Sequence, residues 1–176
     1  IKLVGIVGAG TMGNGIAQAC AVAGVDALML DVNAAALERG VATISGSLDR
    51  LLKKEKITAE QKAAAMARVK TTQTLADLSA CDFVIEAATE NEGLKIKILK
   101  DLDAALKPET IIATNTSSIS ITQLAAATNR PDRFIGMHFF NPVPMMALVE
   151  LIRGLATSDA TLATAQGLAT SLGKTP

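Results

Sequence analysis

The chain has 176 residues, with 17 Lys plus Arg balanced by 17 Asp plus Glu for a formal net charge of zero. That length suits one domain with a sizeable core, and the balanced charge gives no sign of the basic face a nucleic-acid binder needs. With 49% apolar and 19% charged residues, general disorder is excluded.

No apolar run approaches the ~18 residues of a membrane span. The apolar opening Ile1–Val7 runs at once into glycines, unlike a signal peptide. The chain starts on Ile1 and not Met, so a trimmed start is expected. Cys20 and Cys81 lie far apart in different motifs, so neither a disulfide framework nor a metal site can be read from them. A reducing, cytoplasmic setting is expected. The absence of Trp and Tyr removes an aromatic platform for single-stranded nucleic acid.

Taken in chain order, Lys2–Val7 reads as a buried strand and Thr11–Ala23 as a helix stopped by Gly24. Val25–Asp31 is a second strand. A long helix follows, with Leu37, Val41, Ile44, Leu48 and Leu51 on one stripe. Thr58 and Gln61 form a capping box for Ala59–Arg68, which completes a helical hairpin over residues 33–68. Val69–Thr71 and Phe83–Ala87 are strands. Glu92–Leu106 is a helix ended by Pro108. Ile111–Thr114 is a strand, and Ser120 caps a short helix through Ala127. Arg133–Phe139 and Leu148–Ile152 are strands flanking the turn Asn141-Pro142-Val143-Pro144. Ser158 caps a last helix, stopped by Gly173. The order predicts an α/β fold, a doubly wound, mostly parallel sheet with helices on both faces. Gly173–Pro176 reads as the lead-in to further chain.

The first strand enters Gly8-Ala9-Gly10-Thr11-Met12-Gly13, a G-x-G-x-x-G between strand and helix. Gly8 permits the turn, Gly10 admits a pyrophosphate, and Gly13 lets the helix pack close. The helix N-terminus then faces the phosphates. Asp31, 18 residues after Gly13, can accept both ribose hydroxyls of adenosine and would repel a 2′-phosphate. NAD is therefore expected, with NADP disfavoured. A glycine-rich turn with a capping Asp is the bland alternative, and FAD uses the same fingerprint.

His138 is the only histidine and ends a late strand beside a proline-fixed loop. Glu150 lies twelve residues on in an apolar strand, where a charge needs a partner. If residues 141–146 reverse the chain, Glu150 reaches the imidazole and suits it to take an alcohol proton. The alternatives are a core histidine and a salt bridge from Glu150 to Arg133 or Arg153. Asn115-Thr116-Ser117-Ser118 follows the Ile111–Thr114 strand, and its hydroxyls suit either a substrate oxygen or a helix cap.

These motifs, with Glu86-Ala87-Ala88-Thr89-Glu90-Asn91 and His138-Phe139-Phe140-Asn141-Pro142-Val143-Pro144, span almost the whole chain. In them the chain resembles the Rossmann-like NAD-binding domain of L-3-hydroxyacyl-CoA dehydrogenases, especially the bacterial 3-hydroxybutyryl-CoA type. The resemblance implies reversible oxidation of (S)-3-hydroxyacyl-CoA to 3-oxoacyl-CoA with NAD. By it, His138 is the general base, Glu150 orients it, and Ser117 holds the substrate oxygen. Gly8–Gly13, Asp31, Glu90, Lys95, Asn115 and Ser117 bind the cofactor. Ser47, Lys54 and Ser117 meet the acyl-CoA substrate. It also implies a further helical domain beyond residue 176 that closes the site and forms a homodimer, leaving residues 1–176 as a cofactor-binding piece with little turnover alone. Two other readings stay open: a dehydrogenase of free 3-hydroxy acids, and a non-catalytic NAD-binding module.

Overall fold

The computed structural model describes residues 1–116 and 118–176. Seven strands form one sheet in the order β3-β2-β1-β4-β5-β6-β7. They are β1 (Leu3–Val7), β2 (Asp26–Leu30), β3 (Val69–Thr72), β4 (Phe83–Glu86), β5 (Ile111–Thr114), β6 (Phe134–Phe139) and β7 (Val149–Ile152). Every neighbouring pair is parallel except β6–β7. The chain winds outward from β1 through β2 to β3, then returns to the centre at β4 and winds the other way. This reversal opens a crevice at the carboxyl ends of β1 and β4, where such sheets bind ligands. β4 and β5 are buried at all four residues, as strands covered on both faces must be.

Two apolar layers cover the sheet. On one face lie α1 (Thr11–Val22), α2 (Ala34–Lys53), α3 (Ala59–Arg68) and α6 (Asp159–Ser171), through residues such as Ile16, Ile44, Leu48, Ala65 and Leu168. On the other lie α4 (Glu92–Ala105) and α5 (Ile121–Ala125), through Leu99, Leu102, Ile121 and Leu124. The predicted stripe of α2 faces the sheet, with Leu37, Ile44 and Leu48 buried and Val41 and Leu51 packed beside them. The Thr58–Gln61 capping box is present in full. The hairpin leans on α1, where the Arg68 guanidinium donates to the Ala21 carbonyl at 3.0 Å.

Predicted and observed strand ends coincide at half of the positions and differ by one residue at the rest. Two 3-10 turns, Leu75–Ala80 and Pro131–Arg133, carry no periodic signal and were not predicted. Among the described residues no helix is long and apolar enough to cross a membrane.

Candidate active site

The glycine loop joins β1 to α1 at the crevice. Gly8 has φ +106°, and a Cβ there would lie 2.9 Å from the Ala87 oxygen and the Ala88 Cα. The loop is thus pressed against the segment that leaves β4. A Cβ on Gly13 would sit 1.8 Å from the Gly8 carbonyl oxygen, so only glycine lets the helix begin this close to the strand. Gly10 is different. A Cβ there would meet nothing within 4 Å and would project into the open space above the loop.

The other five helices each carry a side-chain cap, from Asn33, Thr58, Asn91, Ser120 and Ser158. α1 has none, and its first turn carries no acidic residue. Among the described residues, the N–H groups beyond Gly10, around Thr11 and Met12, meet no protein anion at the positive end of the helix dipole. An open cradle over Gly10 and an uncapped helix fit the pyrophosphate of a dinucleotide.

Asp31 follows β2 beside this loop. One carboxylate oxygen accepts the Ala9 N–H at 3.1 Å and the other accepts the Asn33 N–H at 2.9 Å. It braces the loop and the entry to α2 while it stands where an adenosine ribose would lie. Each oxygen keeps a second lone pair for a hydroxyl.

Across the switch point, the Asn115 N–H donates to the Glu86 carbonyl at 2.8 Å. Its side-chain oxygen accepts the Phe139 N–H at 2.8 Å. The end of β6 is thereby tied to the end of β5. Glu90 accepts from Thr116 Oγ1 at 2.9 Å and Ser118 Oγ at 3.3 Å. Ser117 lies outside the described residues. Lys95, expected to contact cofactor, is fully buried, with Nζ 2.5 Å from Glu86 Oε1.

His138 lies directly opposite Glu150 in the β6–β7 register. Nδ1 is 3.4 Å from Glu150 Oε1, and the Phe140 ring meets the imidazole edge-on at 4.6 Å. The His138 side chain keeps 19% of its surface exposed, enough to meet a ligand. Arg133 and Arg153 are engaged elsewhere, on Pro108 and on Thr157 and Asp159, so neither takes Glu150. The loop after His138 folds over α1. A Cβ on Gly15 would lie 2.8 Å from Val143, so glycine is needed for that approach. Lys174 secures the same loop by donating to the Val143 and Met146 carbonyls at 2.6 and 2.7 Å.

On the hairpin, Ser47 Oγ accepts from Gln18 Nε2 at 2.9 Å and Lys54 is exposed at the end of α2. Burial pushes the Cys20 and Cys81 thiols up to about 12. Neither is a thiolate nucleophile at neutral pH.

The family model for the 3-hydroxyacyl-CoA dehydrogenase NAD-binding domain matches residues 3–176. The chain belongs to that family.

Among relatives, 3-hydroxybutyryl-CoA dehydrogenase of Bradyrhizobium diazoefficiens is 55% identical over 99% of this chain and 59% of its own length. A probable 3-hydroxybutyryl-CoA dehydrogenase of Bacillus subtilis is 48% identical over 99% of this chain and 61% of its own. The crystal structure of (S)-3-hydroxybutyryl-CoA dehydrogenase from Ralstonia eutropha superposes with a TM-score of 0.99 at 64% identity, covering 100% of this chain and 62% of that one. The chain therefore spans about three fifths of the length of these relatives.

Within this 3-hydroxyacyl-CoA dehydrogenase domain, the glycine loop, Asp31, Glu90, Asn115, His138 and Glu150 all stand at or beside the carboxyl edge of one sheet. Lys95 lies beneath that edge, and Ser47 and Lys54 lie away from it on the hairpin. Sequence reasoning placed Glu86 in the motif but gave it no partner. The signal was available: a carboxylate in the apolar run Phe83–Glu86 must be paired.

Proposed function

We propose that the protein containing this domain interconverts (S)-3-hydroxyacyl-CoA, with 3-hydroxybutyryl-CoA as its main substrate, and the 3-oxoacyl-CoA by reversible hydride transfer with NAD. The observation that carries the reading is the His138–Glu150 pair, held on the same sheet edge as an uncapped glycine-loop helix. Bound NAD supplies the hydride acceptor.

The remaining chemistry belongs to the side chains. The Glu150 carboxylate opposite Nδ1 favours the tautomer with its proton there, which leaves Nε2 to accept the 3-hydroxyl proton. As the imidazolium forms, the same carboxylate stabilises it. The 3.4 Å separation is loose, as pairs of this kind are before substrate draws them together. Ser117, by the motif it belongs to, would hold the oxygen that becomes the carbonyl. Asp31 would take the adenosine ribose, with Glu90 and Asn115 lining the crevice beyond it.

The substrate's coenzyme A would lie along the hairpin, where Ser47 offers a hydroxyl and Lys54 an exposed ammonium for a phosphate. The rest of the protein would close this open site against water and carry the dimer contact.

Oxidation of NADH with acetoacetyl-CoA and with free acetoacetate tests the reading, using the protein that contains this domain. Turnover with the thioester and little with the free acid is expected. Equal or better turnover with the free acid would overturn the assignment of a coenzyme A substrate. NADH binding without turnover on either compound would leave only a nucleotide-binding module.

A further inference from the structure

Nine residues, 140–148, separate β6 from β7. Hairpin turns of about two to five residues fix the register of their strands by themselves, and a connection this long does not. β6 is held independently, buried along most of its length and tied at Phe139 to Asn115. β7 is the edge strand, and only Val149 of its four residues is fully buried. Val143 rests on Gly15 of α1, which fixes the start of the loop but not its return. Something further must set where Glu150 arrives.

The return is held from the end of α6, which packs against both β6 and β7. Gly173 closes α6 at φ +75°, with its N–H on the Thr170 carbonyl and the Lys174 N–H on the Ala169 carbonyl. This left-handed closure turns Lys174 back over the loop. Its ammonium donates to the Val143 carbonyl at 2.6 Å and the Met146 carbonyl at 2.7 Å. The next residue continues the grip. The Thr175 N–H donates to the Ala147 carbonyl at 2.7 Å, and the Thr175 carbonyl accepts the Val149 N–H at 3.0 Å. The clamp therefore ends one residue before Glu150. Burial also pushes the Lys174 amine below its ordinary pKa, so placing the charge there is no simple gain for the fold.

We propose that Lys174 is a positioning residue for the proton transfer: by gripping the Val143 and Met146 carbonyls it locks the loop between β6 and β7 and so keeps Glu150 opposite His138. The proposal rests on the reading of His138 as the general base. Lys174 touches neither side chain, and it acts only through the backbone that carries them.

The test is a double-variant cycle on the protein that contains this domain, with thermal melts of each form. Lys174→Met keeps the length of the side chain and removes its donors. It is expected to lower kcat for acetoacetyl-CoA reduction by at least about fivefold, with KM for NADH within about twofold of the parent. In a Glu150→Gln background the same substitution is expected to lower kcat by less than about twofold further, because the pair it serves is already broken. A smaller loss in the parent background overturns the proposal. So does an equal loss in both backgrounds, or a rise in KM for NADH that matches the fall in kcat, since either marks a general loosening. If Lys174→Met does not fold, Lys174→Gln carries the same cycle with an amide donor on a shorter arm. Failure of both to fold overturns the proposal, because the lysine is then a requirement of the fold. A His138→Ala variant that keeps the parent rate overturns the reading of the base itself, an outcome distinct from any Lys174 result.

Discussion

His138 and Glu150 face one another across the antiparallel pair β6–β7, with Nδ1 3.4 Å from Oε1. The register, not the flexibility of two side chains, brings them together. Residues directly opposite on paired strands share a face, so the reversal at residues 141–146 sets both at once. Glu150 is half exposed and has no structural need of the imidazole. Glu150→Gln should therefore fold as the parent does and lower kcat by at least about 10–100-fold, the loss seen when a carboxylate that orients a metal-bound histidine is removed. KM for NADH should change little. Steady-state kinetics on the protein that contains this domain, with thermal melts of parent and variant, checks this.

Asp31 braces Ala9 and Asn33, and in the proposed reading of the crevice it also seats the adenosine ribose. Losing a charge-assisted hydrogen bond to a hydroxyl costs about 1.5–3 kcal/mol, or roughly 10–100-fold in affinity. Asp31→Ser should weaken NADH binding by that factor and leave NADPH binding less affected, since the repulsion of a 2′-phosphate goes as well. The ratio of the two dissociation constants is the quantity to measure. An unchanged ratio would reduce Asp31 to a brace.

Arg130 supports the fold far from this chemistry. Its guanidinium meets Asp103 Oδ1 at 2.6 Å and the Lys107 and Thr110 carbonyls at 2.7 Å each, closing the carboxyl end of α4. Both Arg130 and Asp103 side chains are nearly buried. Removing one partner strands the other, which typically costs about 3–5 kcal/mol. Arg130→Met should lower unfolding stability by that amount in urea titrations, and NADH affinity of the folded fraction should be unchanged.

Acid sensitivity should trace in part to Asp82. Its carboxylate accepts the Lys2 and Leu3 N–H groups at 2.9 and 3.0 Å, and these bonds hold its carboxyl below the usual range. A carboxyl depressed on folding stabilises the protein above its unfolded pKa of about 3.9 and loses that contribution as pH falls through the folded value. Asp82→Asn should therefore be less stable than the parent at neutral pH. The difference should shrink below about pH 4. Urea midpoints at several pH values measure the effect.

Much of this was legible in the sequence because it lies in local pattern. Thr58 and Gln61 announce their helix through a capping box, the α2 stripe repeats at three and four, and Gly8–Gly13 with Asp31 fixes one βαβ unit. The position of Glu150 opposite His138 followed from a short reversal between two strands. What stayed hidden depends on contacts between distant segments. Lys95 has Lys97 and Lys100 as neighbours on the same helix, and nothing in their spacing says which one turns inward to Glu86. Arg130 looked like any loop arginine until the carbonyl end of α4 was seen beneath it. The 3-10 turns are too short to show a period.

The most direct test of the account is the rate of NADH oxidation by acetoacetyl-CoA, measured for the protein that contains this domain and for its His138→Ala variant in single turnover. Loss of a general acid–base group predicts a drop of about 10²–10⁴-fold with NADH affinity preserved. A rate within tenfold of the parent would contradict the assignment of proton transfer to His138.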